Sequence, residues 1–126
     1  MTKPILHIFR GVPGSGKTTK AREISPRYNY CNDDYFMRGG IYHWDASKIK
    51  EAIKQCQRRV EFAMSLGHSP IAVHNTFILR AHVQPYLDLA ERYGYDVVET
   101  ICDGGFQNVH GVPEDRVQGM RAAFEP

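Results

Sequence analysis

The residue pattern with the clearest chemical meaning lies near the amino terminus, where residues 11–18 read GVPGSGKT. This segment fits the spacing G-x-x-x-x-G-K-[ST], in which glycines let the backbone wrap closely around phosphate groups with its N–H groups pointing inward. The alternative, a glycine-rich turn that binds nothing, would not require a lysine and a threonine directly after the last glycine. The pattern therefore predicts a loop that binds the phosphates of a nucleotide.

Two side chains that follow the last glycine of this loop have predicted roles in the chemistry. Lys17 is expected to place a cation against the β- and γ-phosphates of ATP, and Thr18 to ligate Mg²⁺ through its hydroxyl. A helix that begins here adds a favourable dipole for anions. The predicted cofactors are therefore ATP and Mg²⁺. The predicted nucleotide-binding residues are Gly11, Pro13, Gly14, Ser15, Gly16, Lys17, Thr18 and Thr19.

A second group of polar residues, NDDY at positions 32–35, follows a short aromatic-rich segment that predicts a strand. In open α/β folds, ligands bind at the carboxyl ends of the parallel strands. A carboxylate placed there can accept the proton of an alcohol while a phosphoryl group is transferred to it. Asp33 is the predicted general base, and Lys17 and Asp33 are the predicted catalytic residues. The alternative is that Asp33 or Asp34 only caps a turn.

A third segment, RGGIYHW at positions 38–44, combines a cation, two glycines and aromatic residues ahead of a long predicted helix. Nucleobases can stack on aromatic side chains in such a setting. In the interpretation that we prefer, Tyr42 and Trp44 cover the edge of the core.

Strands and helices alternate along the chain, which is the arrangement that would position these residues. A buried strand at residues 5–9 leads into the glycine-rich loop, and a helix at residues 17–24 follows it. Three more strands are predicted, at residues 28–31, 70–73 and 96–101. Alternating elements of this kind imply a parallel sheet with right-handed connections. The predicted fold class is α/β, three layers with a short, mostly parallel sheet, in a single domain over residues 1–126.

The clearest predicted helix follows Asp45, a good N-cap residue. Apolar residues recur there every three or four positions and predict one buried stripe. Gly67 is expected to end this helix in the left-handed conformation. The residues of the stripe are Ile49, Ile53, Cys56, Val60 and Ala63 or Met64.

Two proline residues are expected at the beginnings of the remaining helices. Pro85 is predicted in the first turn of a helix that ends before Gly94 and buries Leu87, Ala90, Tyr86 and Tyr93. Pro113 is predicted to start the last helix, which carries Val117, Met120 and Phe124 on one side.

Residues 103–112, between the fourth strand and the last helix, contain several glycines and no helical or strand periodicity. We interpret this segment as a lid that closes over the nucleotide, with Gln107 and His110 as candidate contacts. The alternative is a glycine-rich connection without a role in binding.

Composition excludes several other classes of protein. The chain has 126 residues, of which 42% are hydrophobic and 24% charged, far from the composition of disordered chains. Its net charge of +2 is too small to predict a general nucleic-acid coat, so any polyanion must be held locally.

The cysteines and histidines show no pattern of a metal site or a disulfide framework. Cys31, Cys56 and Cys102 are widely spaced, which predicts reduced, buried thiols. No apolar segment approaches the roughly 18 residues of a membrane span, and no signal cleavage site is present. We therefore expect a cytoplasmic protein.

Taken in order, the motifs resemble those of the P-loop polynucleotide 5′-hydroxyl kinases of phages and their zeta-like and AAA-type small relatives. The resemblance spans most of the sequence. Only the glycine-rich loop is specific by itself, but the order and spacing of the motifs together are specific too. The resemblance implies that Asp33 matches the general base of that family and Lys17 its phosphate-binding lysine. The matching segments are GVPGSGKT at 11–18, ARE at 21–23, NDDY at 32–35, NT at 75–76, PY at 85–86, AERYGY at 90–95 and NVHGVP at 108–113.

Three departures from the family pattern bear on the acceptor. The arginine expected shortly after the paired aspartates is displaced to Arg38. The aspartate expected at the end of the third strand is replaced by His74, followed by Asn75 and Thr76. His74 either hydrogen-bonds an acceptor or nucleotide group or is a satisfied histidine at a strand end, and Asn75 is a further candidate substrate contact.

The third departure concerns the predicted lid, which reads GGFQN at positions 104–108 and has no arginine. An arginine that reaches the transferred phosphate can contribute about 10³ to 10⁵ in rate. Its absence predicts slow transfer, replacement by Arg116 or Arg121, or a changed function.

Three functions remain open on the sequence. The leading hypothesis is an ATP- and Mg²⁺-dependent kinase that phosphorylates a hydroxyl of an oligonucleotide or nucleotide, with a single-stranded nucleic acid or a nucleoside as the acceptor. The second is a small-metabolite or nucleoside kinase with the same donor chemistry. The third is a nucleotide-binding switch or interaction protein without transferase activity.

Overall fold

A computed structural model describes residues 2–103 and 112–126, and its centre is a four-stranded parallel sheet. The strands lie in the order β2-β5-β1-β6, and a separate antiparallel hairpin is formed by β3 and β4. The predicted α/β class is therefore confirmed. The strands are β1 (Ile5–Arg10), β2 (Asn29–Tyr30), β3 (Met37–Arg38), β4 (Ile41–Tyr42), β5 (Ile71–Asn75) and β6 (Asp96–Ile101). The helices are α1 (Lys17–Ile24), α2 (Ile49–Ser65), α3 (Arg80–Tyr93) and α4 (Glu114–Ala123).

Helices cover both faces of the sheet because β1 and β5 are apolar on both sides. Leu6 and Ile8 of β1 pack with Ile71 and Val73 of β5 against α2 and α3. On the opposite face, a smaller cluster joins α1 to the sheet through Phe9, Ala21, Ala72 and Cys102. Buried strands of this kind are typical of parallel sheets, which need helices on both faces. The resulting three layers bring the carboxyl ends of β1, β2 and β5 to one edge.

The second predicted strand is shorter than expected. The prediction covers residues 28–31, but in the structure only Asn29 and Tyr30 form a strand. They pair in parallel with Ala72 and Val73 of β5. The chain then turns into a 3₁₀ helix over Asn32–Phe36. β2 is therefore a short edge strand, and the 3₁₀ helix that follows it lies at the carboxyl end of the sheet.

Asp45 does act as a cap, although of a short 3₁₀ helix, Ala46–Lys48, that leads into α2. The prediction that Ile49 and Ile53 belong to the buried stripe is wrong, since these side chains are 39% and 37% exposed. With a rise of about 1.5 Å per residue, α2 is about 25 Å long, whereas β5 spans only about 16 Å. The first turns of α2 therefore extend beyond the sheet, and Ile49 and Ile53 face the space above its edge.

The prediction that Pro85 lies in a first helical turn is also wrong. α3 begins earlier, at Arg80, where the side chain of His82 accepts a hydrogen bond from the Leu79 N–H. Pro85 therefore lies inside the helix, where it cannot donate to the carbonyl of Ala81. α3 ends as expected at Gly94, which has a φ of 74°.

The fourth helix buries Val117, but Phe124 follows the helix end instead of belonging to it. The ring of Phe124 lies 4.6 Å from the guanidinium carbon of Arg10. Arg10 is fully buried and donates to the Phe77 carbonyl and to the Glu99 carboxylate. It also donates to the Glu125 carbonyl. This network holds the end of the chain against the carboxyl ends of β1 and β6.

Within the described residues, no helix is both long and apolar enough to cross a membrane.

Candidate active-site cleft

A cleft of about 690 Å³ opens at the edge where β1, β2 and β5 end. One wall is residues 11–18, which we call the phosphate cradle. A second group of lining side chains, which we call the acceptor wall, consists of Phe36, Tyr42, Trp44, Ile49, Ala52, Ile53 and Met120. Asp33, His74 and Asn75 lie on the cleft as well. The structure therefore brings the predicted nucleotide-binding loop and the predicted base to one cavity.

The phosphate cradle adopts backbone conformations that require its glycines. Gly14 and Gly16 have φ angles of 81° and 94°, a region that other residues rarely adopt. A Cβ at Gly11 would lie 2.4 Å from the Cys102 carbonyl oxygen and 2.4 Å from Ser15 Oγ. The glycine spacing read from the sequence is thus explained by the geometry of the turn. Of the predicted nucleotide-binding residues, Gly11 and Ser15 support the loop from behind, and the others line the cleft.

Two groups in the cradle are prepared for an anion. Lys17 Nζ donates to the Val12 carbonyl at 3.2 Å, and burial lowers the pKa of this lysine although Cys102, Asp33 and Cys31 oppose the shift. The backbone N–H groups at the beginning of α1, which starts at Lys17, are the second group, because the N-terminus of a helix favours anions. Ser15 Oγ lies behind the loop, where it is buried and has no hydrogen-bond partner within the described part of the chain. The cradle therefore fits a phosphate chain.

Thr18 and His74 form the floor of the cleft between the cradle and β5. Thr18 Oγ1 lies 3.2 Å from Nδ1 of His74, which is 3% exposed. Burial lowers the pKa of His74 to about 4, so the imidazole is neutral at pH 7. A neutral ring has one donor and one acceptor nitrogen. If Nδ1 accepts the Thr18 proton, the hydroxyl keeps its lone pairs for a hard cation such as Mg²⁺.

The two neighbouring aspartates have different surroundings. Asp33 lies on the cleft, where its Oδ1 accepts a hydrogen bond from the Tyr42 hydroxyl at 2.8 Å. This bond and burial raise the pKa of Tyr42, which remains a donor at neutral pH. Asp34 instead accepts from the N–H and thiol of Cys31 and pairs with Arg59 at 3.2 Å. Asp34 therefore caps the turn, and Asp33 lines the cleft.

Asn75 positions the turn that carries Asp33. Its Oδ1 accepts a hydrogen bond from the Asn32 N–H at 2.8 Å. Asn75 also lines the cleft, together with Thr76. The Cys31 thiol, expected to be buried, is half-buried and lines the same space.

The acceptor wall consists of aromatic and aliphatic side chains. The Phe36 ring is 4% exposed and packs edge-on against Tyr42. It also contacts Trp44 in a tilted arrangement, at a centroid distance of 5.1 Å. Trp44 remains 50% exposed. The preferred interpretation, in which Tyr42 and Trp44 only cover the core edge, is therefore incomplete, since both also face the cleft. Their partners Ile49 and Ile53 were missed because helical periodicity does not tell where a helix extends past its sheet.

The candidate cations are separated by the structure. All three candidate arginines are exposed, but Arg116 of α4 lines the cleft, whereas Arg38 and Arg121 do not. Arg38 lies on the hairpin strand β3.

Gln107, His110 and most of the predicted lid segment lie outside the described residues. Among the residues that the structure describes, no three histidine, cysteine or acidic side chains are grouped so that they could hold a metal ion.

Comparisons with known proteins bear on the family and the fold of the chain. Residues 6–104 match a protein family described as an AAA domain. The human protein NEDD4-binding protein 2 is 30% identical over 134 residues, which covers 96% of this chain and 8% of that protein. The chain therefore spans less than a tenth of this relative's length.

Solved structures with the same fold include kinases. A putative kinase from Chloroflexus aurantiacus superimposes with a TM-score of 0.63 at 18% identity, over 81% of this chain and 60% of that one. A chain of the Pnkp1/Rnl/Hen1 complex gives a TM-score of 0.66 at 19% identity, over 94% of this chain and 39% of that one. At this level of identity, the likeness establishes the fold.

Proposed function

The chain belongs to this AAA domain family and has the fold of small P-loop kinases, and on that premise we propose that it transfers the γ-phosphate of ATP to a hydroxyl of an oligonucleotide or nucleotide. One observation carries the proposal. Asp33 lies on the same cleft as a phosphate-binding cradle and a wall of aromatic and aliphatic side chains. A carboxylate between these two surfaces is suited to accept the proton of a hydroxyl that belongs to a base-bearing acceptor.

The donor half of the reaction rests on the cradle. Its backbone N–H groups and Lys17 hold the phosphates, and Lys17 exchanges its bond to the Val12 carbonyl for phosphate oxygens. Thr18 is the residue that would hold Mg²⁺, which supplies charge neutralisation on the phosphates when bound. His74 orients the Thr18 hydroxyl. The fit of the cradle to phosphate supports ATP as the donor.

The transfer step needs one proton acceptor and a charge-stabilising group. The acceptor oxygen forms a bond to the γ-phosphorus, the bond from that phosphorus to the bridging oxygen breaks, and ADP leaves. The hydroxyl proton passes to the Asp33 carboxylate, which Tyr42 holds in place through its own hydroxyl. Among the described residues, Arg116 is an arginine that lines the cleft. It stabilises the charge on the transferred phosphate in place of the arginine that the lid sequence lacks.

The acceptor wall favours a nucleobase over a small polar metabolite. Phe36, Tyr42 and Trp44 offer aromatic rings, and α2 adds Ile49 and Ile53. A base can stack on such a surface, whereas a sugar acid or polyol would leave its hydroxyls without partners there. Lys17 and Arg116 are the cations among the cleft-lining residues.

Transfer of label from radiolabelled ATP tests the proposal directly. The purified chain is incubated with ATP and Mg²⁺ and with 5′-hydroxyl oligonucleotides, nucleosides or no acceptor in parallel. We expect label on the 5′-hydroxyl oligonucleotide. Label on nucleosides but never on oligonucleotides would favour the nucleoside-kinase hypothesis, and tight ATP binding without any transfer would favour the switch.

Substitution of Trp44 tests the acceptor wall. Because stacking on one aromatic side chain contributes about 1–3 kcal/mol per base, Trp44→Ala should raise the KM for the acceptor about tenfold or more and leave the KM for ATP unchanged. Trp44→Phe, which keeps an aromatic face, is the matched control and should retain most of the affinity. Equal KM values for the acceptor in all three proteins would contradict a stacking role.

A further inference from the structure

A second concave surface lies on the outer side of α2, away from the cleft. It has a volume of about 280 Å³ and is lined by Tyr30, Gln55, Arg58, Arg59 and Phe62. We call it the α2 groove. Phe62 is 66% exposed, although its ring is large and apolar. The guanidinium of Arg59 lies 4.9 Å from the centroid of the Tyr30 ring.

The charges of the α2 groove favour a polyanion. Its lining contains two arginines and no carboxylate. Arg59 is already paired with Asp34, at 3.2 Å. Arg58 is exposed and makes no ion pair or hydrogen bond with any residue that the structure describes. A free guanidinium beside an exposed aromatic face is the combination with which proteins bind a phosphate and the adjacent base of a single strand.

The position of the groove relative to the cleft adds a second argument. Ile49, Ala52 and Ile53 at the beginning of α2 line the cleft, and Gln55 to Phe62 farther along the same helix line the groove. At about 1.5 Å per residue and 3.6 residues per turn, Ile53 and Phe62 are about 14 Å apart along the helix axis and on opposite sides of the helix, so a strand that reaches both surfaces passes around α2. The salt bridge between Arg59 and Asp34 also connects the groove to the cleft, because Arg59 lines the groove and Asp34 is next to Asp33, which lines the cleft.

We propose that the α2 groove binds single-stranded nucleic acid, namely the nucleotides that follow the acceptor nucleotide of the cleft. Phe62 stacks on a base and Arg58 contacts the backbone phosphate. This inference rests on the proposed function and narrows its acceptor from nucleotides in general to oligonucleotides. Binding of this kind is compatible with the low net charge of the chain, because the cations that contact the polyanion are needed only at the groove.

Kinetics with acceptors of different length test the groove. A nucleoside 3′-phosphate and a ten-nucleotide strand with the same 5′-terminal nucleoside are compared for the unmodified chain, Phe62→Ala and Arg58→Ala. We expect each substitution to raise the KM for the ten-nucleotide strand about tenfold and to leave the KM for the nucleoside 3′-phosphate within about twofold. Leu66→Ala and Arg27→Ala remove an exposed apolar side chain and an exposed arginine outside the groove, and they should change neither value.

A binding measurement separates this inference from the proposed function. Fluorescence anisotropy of a labelled, 5′-phosphorylated ten-nucleotide strand reports binding without any turnover. Weaker binding by Phe62→Ala and Arg58→Ala, with unchanged binding by both controls, supports the groove even if no transfer is found. Unchanged binding by both groove variants overturns the inference, and so does a KM that rises equally for short and long acceptors.

Discussion

The phosphate cradle and the acceptor wall line the same cleft, yet they are built in different ways. The cradle is one continuous segment, residues 11–18, whose donors are mostly backbone groups fixed by glycine conformations. The wall takes its side chains from the 3₁₀ helix, the hairpin, the start of α2 and α4. A short segment can therefore define what donates the phosphate, whereas the identity of the acceptor depends on several segments that meet only after folding.

β5 joins the two regions. His74 contacts Thr18 of the cradle, and Asn75 holds the backbone of Asn32 in the turn that carries Asp33. A shift of β5 would therefore move Asp33 relative to the phosphate cradle. Substitutions on either side of this strand should separate the loss of donor binding from the loss of transfer.

The largest expected effect comes from the cradle itself. Lys17→Ala removes the cation that faces the phosphates, so label transfer should fall by at least about 10³-fold and ATP affinity should fall with it. Titration calorimetry with ATP and Mg²⁺ measures the second quantity. Lys20→Ala, an exposed lysine on the same helix, is the control and should bind ATP normally. Full transfer by Lys17→Ala would refute the assignment of the cradle.

A substitution on the acceptor side should lower transfer without loss of donor binding. Asp33→Asn keeps the shape and the bond from Tyr42 but cannot take up the proton, so kcat should fall about 10³-fold while ATP affinity is unchanged. Asp34→Asn is the contrast, because its partners Cys31 and Arg59 make it a structural residue. That variant should lose stability and retain most of kcat. Equal kcat in Asp33→Asn and the unmodified chain would exclude Asp33 as the base.

The folding stability of the chain should decrease in acid because of His74, the residue of β5 that contacts the cradle. The pKa of His74 is about 4 in the folded chain because the ring is buried, and its ordinary value is 6.5. Between these values the unfolded chain binds a proton that the folded chain does not, so stability falls as the pH is lowered from 6.5 to 4. The contribution is about 3 kcal/mol. Urea unfolding of the metal-free chain at pH 7 and pH 4.5 should show this loss, and His74→Asn should lack that part of it.

Arg116 and Arg121 give a smaller and more selective comparison. Both belong to α4, but only Arg116 lines the cleft. Arg116→Ala should lower kcat about 10²-fold, the effect of removing one donor to the transferred phosphate. Arg121→Ala should have no effect on transfer. Similar activity of the two variants would show that charge stabilisation is supplied from elsewhere.

Sequence patterns predicted the local elements well. The bounds of α1 and β6, the left-handed Gly67, the end of α3 before Gly94 and the need for glycines in the cradle all follow from short-range steric and capping rules. The predicted start of α3 is wrong because the helix begins where the His82 side chain accepts from the Leu79 N–H. Histidine is not one of the usual capping residues, so the sequence pattern points to Pro85 as the first turn instead. Helical periodicity placed Ile49 and Ile53 in the core because it counts apolar positions and ignores the length of the sheet beneath.

The sequence by itself determined the phosphate cradle, since backbone conformation at Gly14 and Gly16 and the placement of Lys17 are local properties of eight consecutive residues. It also determined the alternation of strands and helices. Only the tertiary structure decided which of Asp33 and Asp34 faces the cleft, that Tyr42 holds Asp33, and that Arg116 and not Arg38 lines the site. Those outcomes depend on contacts between segments far apart in the chain, and no spacing within one segment encodes the direction in which a neighbouring segment packs.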